Sequence, residues 1–268
     1  MTTKSFFPRN IYAQPTVNSS RVFLSPPRYI QGPGVIRNCG LYLQLINATN
    51  VAVLASRRGF SAEASDVLTS LSKEGIAHSK AEFLGECSRE EVERHANNLM
   101  SSKPDCILAV GGGKLVDAGK CIAHRLNCQV VIIPTLASND APCSSISVLY
   151  TSDGVKDLVE YFPQNPAFVI VDTEVIVNAS ERYLVAGMGD AMATWYEARV
   201  CEDNPATSNL VGCRPTLAAS ALSEKCAQTL FEHGVCAAEN VRNNKNSDSV
   251  ERVVEANTLL SGIGFESG

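Results

Sequence analysis

Residues 130–150 read VVIIPTLASNDAPCSSISVLY, two apolar runs with a polar insertion between them. Thr135, Ser138, Ser144 and Ser147 offer short hydroxyl donors there, suited to ribose, phosphate or a carboxamide. Asp140 adds one carboxylate two positions before Pro142, where an acid either accepts hydrogen bonds from a ligand or caps a turn. A second stretch, CILAVGGGKLVDAGK (106–120), sets Gly111, Gly112 and Gly113 between an apolar run and a helical one. Glycines let the backbone approach a ligand with no Cβ in the way. A helix starting near Lys114 points its unpaired N–H groups and positive end at the same turn. The combination suits a pyrophosphate, and equally a tight loop without a ligand. Its spacing is neither GxGxxG nor a Walker A loop.

Such residues need a scaffold that brings them to one edge. From about residue 50 the chain alternates between strand and helix signals. VAVLAS (51–56) reads as a buried strand, a helix follows near 61–74 with Ala64, Val67, Leu68 and Leu71 on one face, and AHSKAEFL is a second strand. Ser88 and Glu91 have capping-box spacing. Strands at 106–110 and 129–134 flank a helix over 114–126. Strict alternation predicts parallel strands joined by right-handed crossovers. Ligands of such sheets bind beyond the carboxyl ends of the strands, where both stretches above fall. After 167–172 the strand signals fade, and helices are predicted around 181–201, 215–232 and 248–263. ENVRNNKNSDS (239–249) reads as a mobile loop. The expected fold is α/β: a parallel-sheet dinucleotide-binding domain over 23–172, then an all-helical domain over 173–268, incomplete. Residues 1–22, interrupted by Pro8 and Pro15, read as a disordered extension.

Composition narrows the function classes. The chain has 268 residues, 45% hydrophobic, with a net charge of -5 and no long basic run, which argues against nucleic acid. No run approaches eighteen apolar residues, so no membrane span is expected. Ten cysteines occur without a CxxC motif. They read as small hydrophobes kept reduced in a cytoplasm, not as a disulfide framework.

Four motifs in order, GGGKLVDAGK, PTLASNDAPCSSISVLY, GMGDAMATWYEAR and SGIGFESG, resemble the glycerol dehydrogenase family, in the metal-dependent branch of the iron-type alcohol dehydrogenases. The resemblance runs from about residue 25 to the end. It implies an N-terminal domain that binds NAD and a helical domain that holds Zn2+ or another divalent metal. It places Gly112, Gly113 and Lys114 at the pyrophosphate, with Thr135, Ser138, Ser144, Ile146 and Tyr150 along the rest of the cofactor. It turns Asp140 toward the polyol hydroxyls, makes Asp190 a metal ligand and sets Phe265 as an apolar wall of the substrate site. Zinc would stabilise the alkoxide of glycerol while hydride passes to the nicotinamide, giving dihydroxyacetone. Homo-oligomers are implied.

The chain also departs from the family. The metal site there takes two histidines that lie beyond GFESG, and this sequence stops at Gly268. His78, His95, His124 and His233 lie in no matching motif. His95, on a charged helix, is expected to be solvated; His124 is expected near a helix C-terminus. A shortened chain is therefore expected to bind dinucleotide better than it catalyses and to expose apolar helix faces. An inactive dinucleotide-binding module remains an alternative, as do a glycerol-phosphate dehydrogenase and a dehydroquinate-synthase-like enzyme. Ser56 stands where an acid would hold the ribose 2′-hydroxyl, and the adjacent Arg57 and Arg58 leave NADP open.

Overall fold

A computed structural model describes residues 6–13, 20–265 and Gly268. Among the described residues eight strands run in order: β1 (Tyr29–Gly32), β2 (Asn50–Ala55), β3 (Ala77–Glu82), β4 (Cys106–Gly111), β5 (Gln129–Pro134), β6 (Ile146–Tyr150), β7 (Lys156–Tyr161) and β8 (Phe168–Asp172). The helices are α1 (Arg9–Tyr12), α2 (Cys39–Gln44), α3 (Arg57–Phe60), α4 (Glu63–Lys73), α5 (Arg89–Leu99), α6 (Gly113–Leu126), α7 (Thr173–Val177), α8 (Glu181–Asp203), α9 (Leu217–Arg242), α10 (Asp248–Glu255) and α11 (Ser261–Gly264). The chain divides into two units. The first comprises Pro26–Leu136 and Ser145–Ile176; the second comprises Ala137–Ser144, Val177–Gly268 and the described part of Lys4–Ser25.

In the first unit six strands form a sheet of order β1-β8-β5-β4-β2-β3, every pairing parallel. Alternation of side chains along each strand separates two cores. Val51, Val53, Leu108 and Val131 pack with α2 and α4 residues Leu43 and Leu71. Ala52, Leu54 and Ile107 pack with α5 and α6 residues Val92 and Ile122. Strand β4 is buried along its whole length because both faces are covered, which is why it reads as an unbroken apolar run. A Cβ on Gly119 would lie 2.5 Å from Ala109 Cβ, so glycine lets α6 settle closely on β4. The sheet grows from β2 to β3 on one side, then to β4 on the other. That reversal is a topological switch point at the carboxyl ends of β2 and β4, where sheets of this kind bind their ligands.

Strands β1 and β7 are additions to the sequence reading; β1 pairs parallel with β8, and β7 pairs antiparallel with β6 as a hairpin outside the main sheet. His95 is not solvated but 2% exposed, on the stripe Val92, His95, Ala96 and Leu99 that α5 presents to the core. Desolvation, then the Arg94 guanidinium, hold its imidazole below the usual range, against the opposing pull of Glu91. The unfolded chain therefore takes up a proton that the folded one resists. Stability is expected to fall as pH drops through about 6.5. Denaturant midpoints at pH 7.5 and 5.5 check this, and a His95→Leu variant should show a flatter dependence across that interval.

The second unit is helical. Helix α9 continues to Arg242, four residues into the segment expected to be a loop, because Ala237 and Val241 extend its buried stripe and Arg242 pairs with Glu181 at 2.8 Å. The helix expected over 248–263 is three pieces: α10, a π-turn at Ala256–Leu260 and α11. Of the expected extension, residues 1–5 and 14–19 lie outside the described residues. Pro8 occupies the N-cap of α1, where a missing N–H costs nothing. Arg214 N donates to Ser20 O at 3.0 Å, and Arg21 Nη1 to Pro215 O at 3.3 Å. Helices α8 and α9 expose Tyr196, Val200, Phe231 and Val235. Among the described residues no helix is long and apolar enough to cross a membrane.

Candidate functional site

The glycine triplet forms the passage from β4 to α6. Gly111 ends the strand, Gly112 is the N-cap and Gly113 begins the helix. Gly112 O accepts from Leu115 N and Val116 N at 2.9 and 3.1 Å, which starts the helical ladder and leaves the first-turn N–H groups without intrahelical acceptors. None of the three adopts a left-handed φ. Their value lies in absent side chains: a Cβ on Gly111 would meet Leu115 Cδ1 at 2.3 Å. Thr135 N donates to Gly111 O at 3.0 Å, tying the end of β5 to this turn. Lys114 is exposed and its Nζ lies 2.6 Å from Glu86 Oε2. Glu86 is itself held through Oε1 by Cys87 N at 3.0 Å. Ile146 and Tyr150 sit half-buried at the two ends of β6. All of these groups belong to the first unit.

In the second unit the loop Ala137–Ser144 brings Asp140 to Asp190. The backbone N–H of Asp140 donates to Asp190 Oδ2 at 3.2 Å. Asp140 occupies the N-cap position of a 3-10 turn, Ala141–Cys143, yet its carboxylate does not cap that turn, which weakens the turn-capping alternative. Desolvation pushes the Asp190 carboxyl above its usual range, opposed by the Asp140 N–H. Burial, then the negative charge of Asp140, push the Cys226 thiol up to about 12 and keep it protonated. Ser138 is half-buried. Ser144 is buried and donates to Ala141 O at 3.1 Å, so this hydroxyl is engaged inside its own loop. Phe265, half-buried, is the C-cap of α11.

Residues 26–173 match the family description "Iron-containing alcohol dehydrogenase". The chain belongs to the iron-containing alcohol dehydrogenase family. It is similar to a glycerol dehydrogenase of Escherichia coli O6:H1, with 43% identity over 248 residues covering 92% of this chain and 67% of the relative. A glycolaldehyde reductase of Halobacterium salinarum is 40% identical over 247 residues, again with 92% and 67% covered. Among solved structures, a glycerol dehydrogenase from Schizosaccharomyces pombe superposes with TM-score 0.85 at 38% identity, covering 93% of this chain and 63% of that one. The chain thus spans about two thirds of the length of the relatives it matches.

Metal-dependent members of this dehydrogenase family need a set of donor side chains. Among the described residues no three His, Cys, Asp or Glu side chains converge. His95 is buried beside Glu91, His78 Nδ1 lies 3.0 Å from Ile76 O, and the His124 ring packs on Phe162 at 5.3 Å. His233 on α9 lies 3.7 Å from Glu232 Oε2. Asp190 alone does not supply the three protein ligands of a catalytic zinc site, so these residues do not fit the metal by themselves.

The arginines that left NADP open are exposed and each meets one carboxylate. Arg57 Nε lies 3.0 Å from Glu82 Oε1 and Arg58 Nη2 lies 3.0 Å from Glu63 Oε1. Ser56 accepts from Gly59 N at 3.1 Å and caps α3.

Sequence reasoning missed the residues beneath the Asp140 loop. Asn257, fully buried in the π-turn, donates to Ala137 O at 2.9 Å and to Leu184 O at 3.0 Å. Gly187 lies against Ala137 O, and Gly262 against Asp140 O and Cys143 Cβ. Thr194 and Ser261 hydroxyls meet at 2.9 Å. Gly187, Asp190 and Thr194 of GMGDAMATWYEAR and Ser261 and Gly262 of SGIGFESG thus form a floor for the loop. Their small residues were the only sequence signal of it.

Proposed function

We propose that this protein is an NAD-dependent polyol dehydrogenase that oxidises glycerol to dihydroxyacetone. The observation that carries the reading is the glycine turn at the sheet's reversal point, opening an N-terminal helix turn to a pyrophosphate. The likeness to glycerol dehydrogenases at up to 43% identity supports the substrate class. In this reading Gly112, Gly113 and Lys114 hold the pyrophosphate, with Lys114 exchanging Glu86 for phosphate oxygens. Thr135, Ser138, Ser144, Ile146 and Tyr150 line the remaining nucleotide. Asp140 accepts hydrogen bonds from a substrate hydroxyl, which favours a diol over a simple alcohol, and Phe265 supplies an apolar wall. The carbinol carbon gives hydride to the nicotinamide and the hydroxyl proton leaves to solvent. Asp190 is the family's aspartate ligand in this reading, and among the described residues no other donors converge on it. Assembly into homo-oligomers and a cytoplasmic location belong to the same reading.

A second reading, dinucleotide binding without turnover, is favoured by the absence of a three-donor cluster among the described residues. NADH formation from glycerol, measured with added zinc, together with calorimetry of NAD binding, separates the two. Turnover supports the dehydrogenase, binding alone supports the inactive module, and neither would defeat both. Where turnover is found, Asp140→Asn is expected to lower kcat/KM for glycerol by roughly 10- to 100-fold, the worth of one charged hydrogen bond. The Kd for NAD should move less than about twofold; equal loss of both would remove the substrate role of Asp140.

A further inference from the structure

Among the charged side chains buried in the first unit, Asp117 and Lys120 have no role in the reading above. Asp117 and Lys120 are 9% and 2% exposed and stand one turn apart on α6. Burying such groups is costly unless they are bonded, so their partners matter. Lys120 Nζ donates to Ile146 O at 2.7 Å and lies 3.5 Å from Asp117 Oδ1. Asp117 Oδ2 accepts from Val148 N at 3.1 Å, and Ser147 Oγ donates to Asp117 O at 3.0 Å. Three consecutive residues of β6 are thereby bonded to two residues of α6. Among the described residues β6 has only β7 as a strand neighbour. Groups that β6 directs away from β7 meet Lys120, Asp117 and, at Tyr150 N, the carbonyl of Cys87 at 2.9 Å. Side chains of α6 stand where a third strand would otherwise satisfy the ladder. A two-stranded ribbon has little stability of its own, so this clamp decides where β6 lies.

We propose that Asp117 and Lys120 are positioning residues for the dinucleotide, fixing Ile146 directly and, through Val148, the strand that carries Tyr150, against the same helix whose first turn carries Gly112 and Gly113. The proposal rests on the nucleotide reading above. One helix then sets both the anion-binding turn and the cofactor wall, and the wall is ordered before the ligand arrives. A loosened β6 would have to be ordered on binding, which costs affinity.

The test compares the unaltered chain with Lys120→Met and Asp117→Asn by calorimetry with NAD, amide hydrogen exchange without nucleotide, and thermal unfolding. Lys120→Met is expected to raise the Kd for NAD about tenfold or more, the worth of one buried charged hydrogen bond. Asp117→Asn keeps an acceptor for Val148 N and should raise it less, by about threefold. Exchange should quicken in residues 146–161 while β2, β4 and β5 stay protected. A variant with lowered Tm but a Kd within twofold of the unaltered chain would assign the pair a structural role only and overturn the proposal, as would exchange quickened throughout the main sheet. If Lys120→Met does not fold, the near-isosteric Asp117→Asn carries the same comparison. No NAD binding by the unaltered chain ends the nucleotide reading and this proposal with it. Binding that both variants retain in full ends the proposal alone.

Discussion

Gly187→Ala is expected to destabilise the second unit by about 2–4 kcal/mol, combining overpacking with a strained buried hydrogen bond. An added Cβ would lie 2.0 Å from Ala137 O and 2.5 Å from Asn257 Nδ2. The first contact is with backbone, which cannot rotate away, and the second disturbs the amide that bridges Ala137 O and Leu184 O. Relief requires the loop that carries Asp140 to rise from α8, so the bond from Asp140 N to Asp190 should weaken with it. Gly189, two residues on, has nothing within 4 Å of its added Cβ. Gly189→Ala should therefore stabilise by up to about 1 kcal/mol through helix propensity. Urea unfolding of the two variants checks the contrast; a Gly187→Ala protein as stable as its parent would show that the loop is not packed as described.

Asp172→Ala is expected to cost about 3–5 kcal/mol by leaving three backbone donors without their acceptor. Asp172, 1% exposed at the end of β8, accepts from Gly34 N at 2.9 Å and Glu174 N at 3.0 Å through Oδ1, and from Ile36 N at 3.2 Å through Oδ2. Asp172→Asn should cost less, about 2 kcal/mol, because its amide oxygen still serves one side while its NH2 opposes a donor. Thermal unfolding that ranks the asparagine variant below the alanine variant in stability would contradict this account of the carboxylate.

Legibility varied with how local the cause was. The capping role of Ser88 was written in the sequence, and its Oγ accepts from Glu91 N at 3.2 Å. The reciprocal half of the expected box is absent, since the Glu91 carboxylate turns to Leu84 N at 2.9 Å and to Arg94. The charged neighbours of His95 suggest a solvated face, whereas Val92, Ala96 and Leu99 at helical spacing mark the buried stripe it shares. Strand β7, KDLVEY, gave no clear apolar alternation. It is fixed instead by pairing with β6 and by Arg125, which grips Glu160 with two bonds of 2.6 Å from 35 residues away. Nothing local marks Asn257, because its partners Ala137 O and Leu184 O lie 120 and 73 residues away in the chain.

The amino-acid order alone determined the alternating strands and helices, the glycine turn after β4 and the helical second half, because apolar period and backbone freedom act over a few residues. Tertiary structure decided that Asp140 meets Asp190, that Asp117 and Lys120 hold β6, and that four histidines stand without converging among the described residues. Those outcomes depend on groups tens of residues apart along the chain, whose proximity arises only when helices and strands pack and buried polar atoms must find partners.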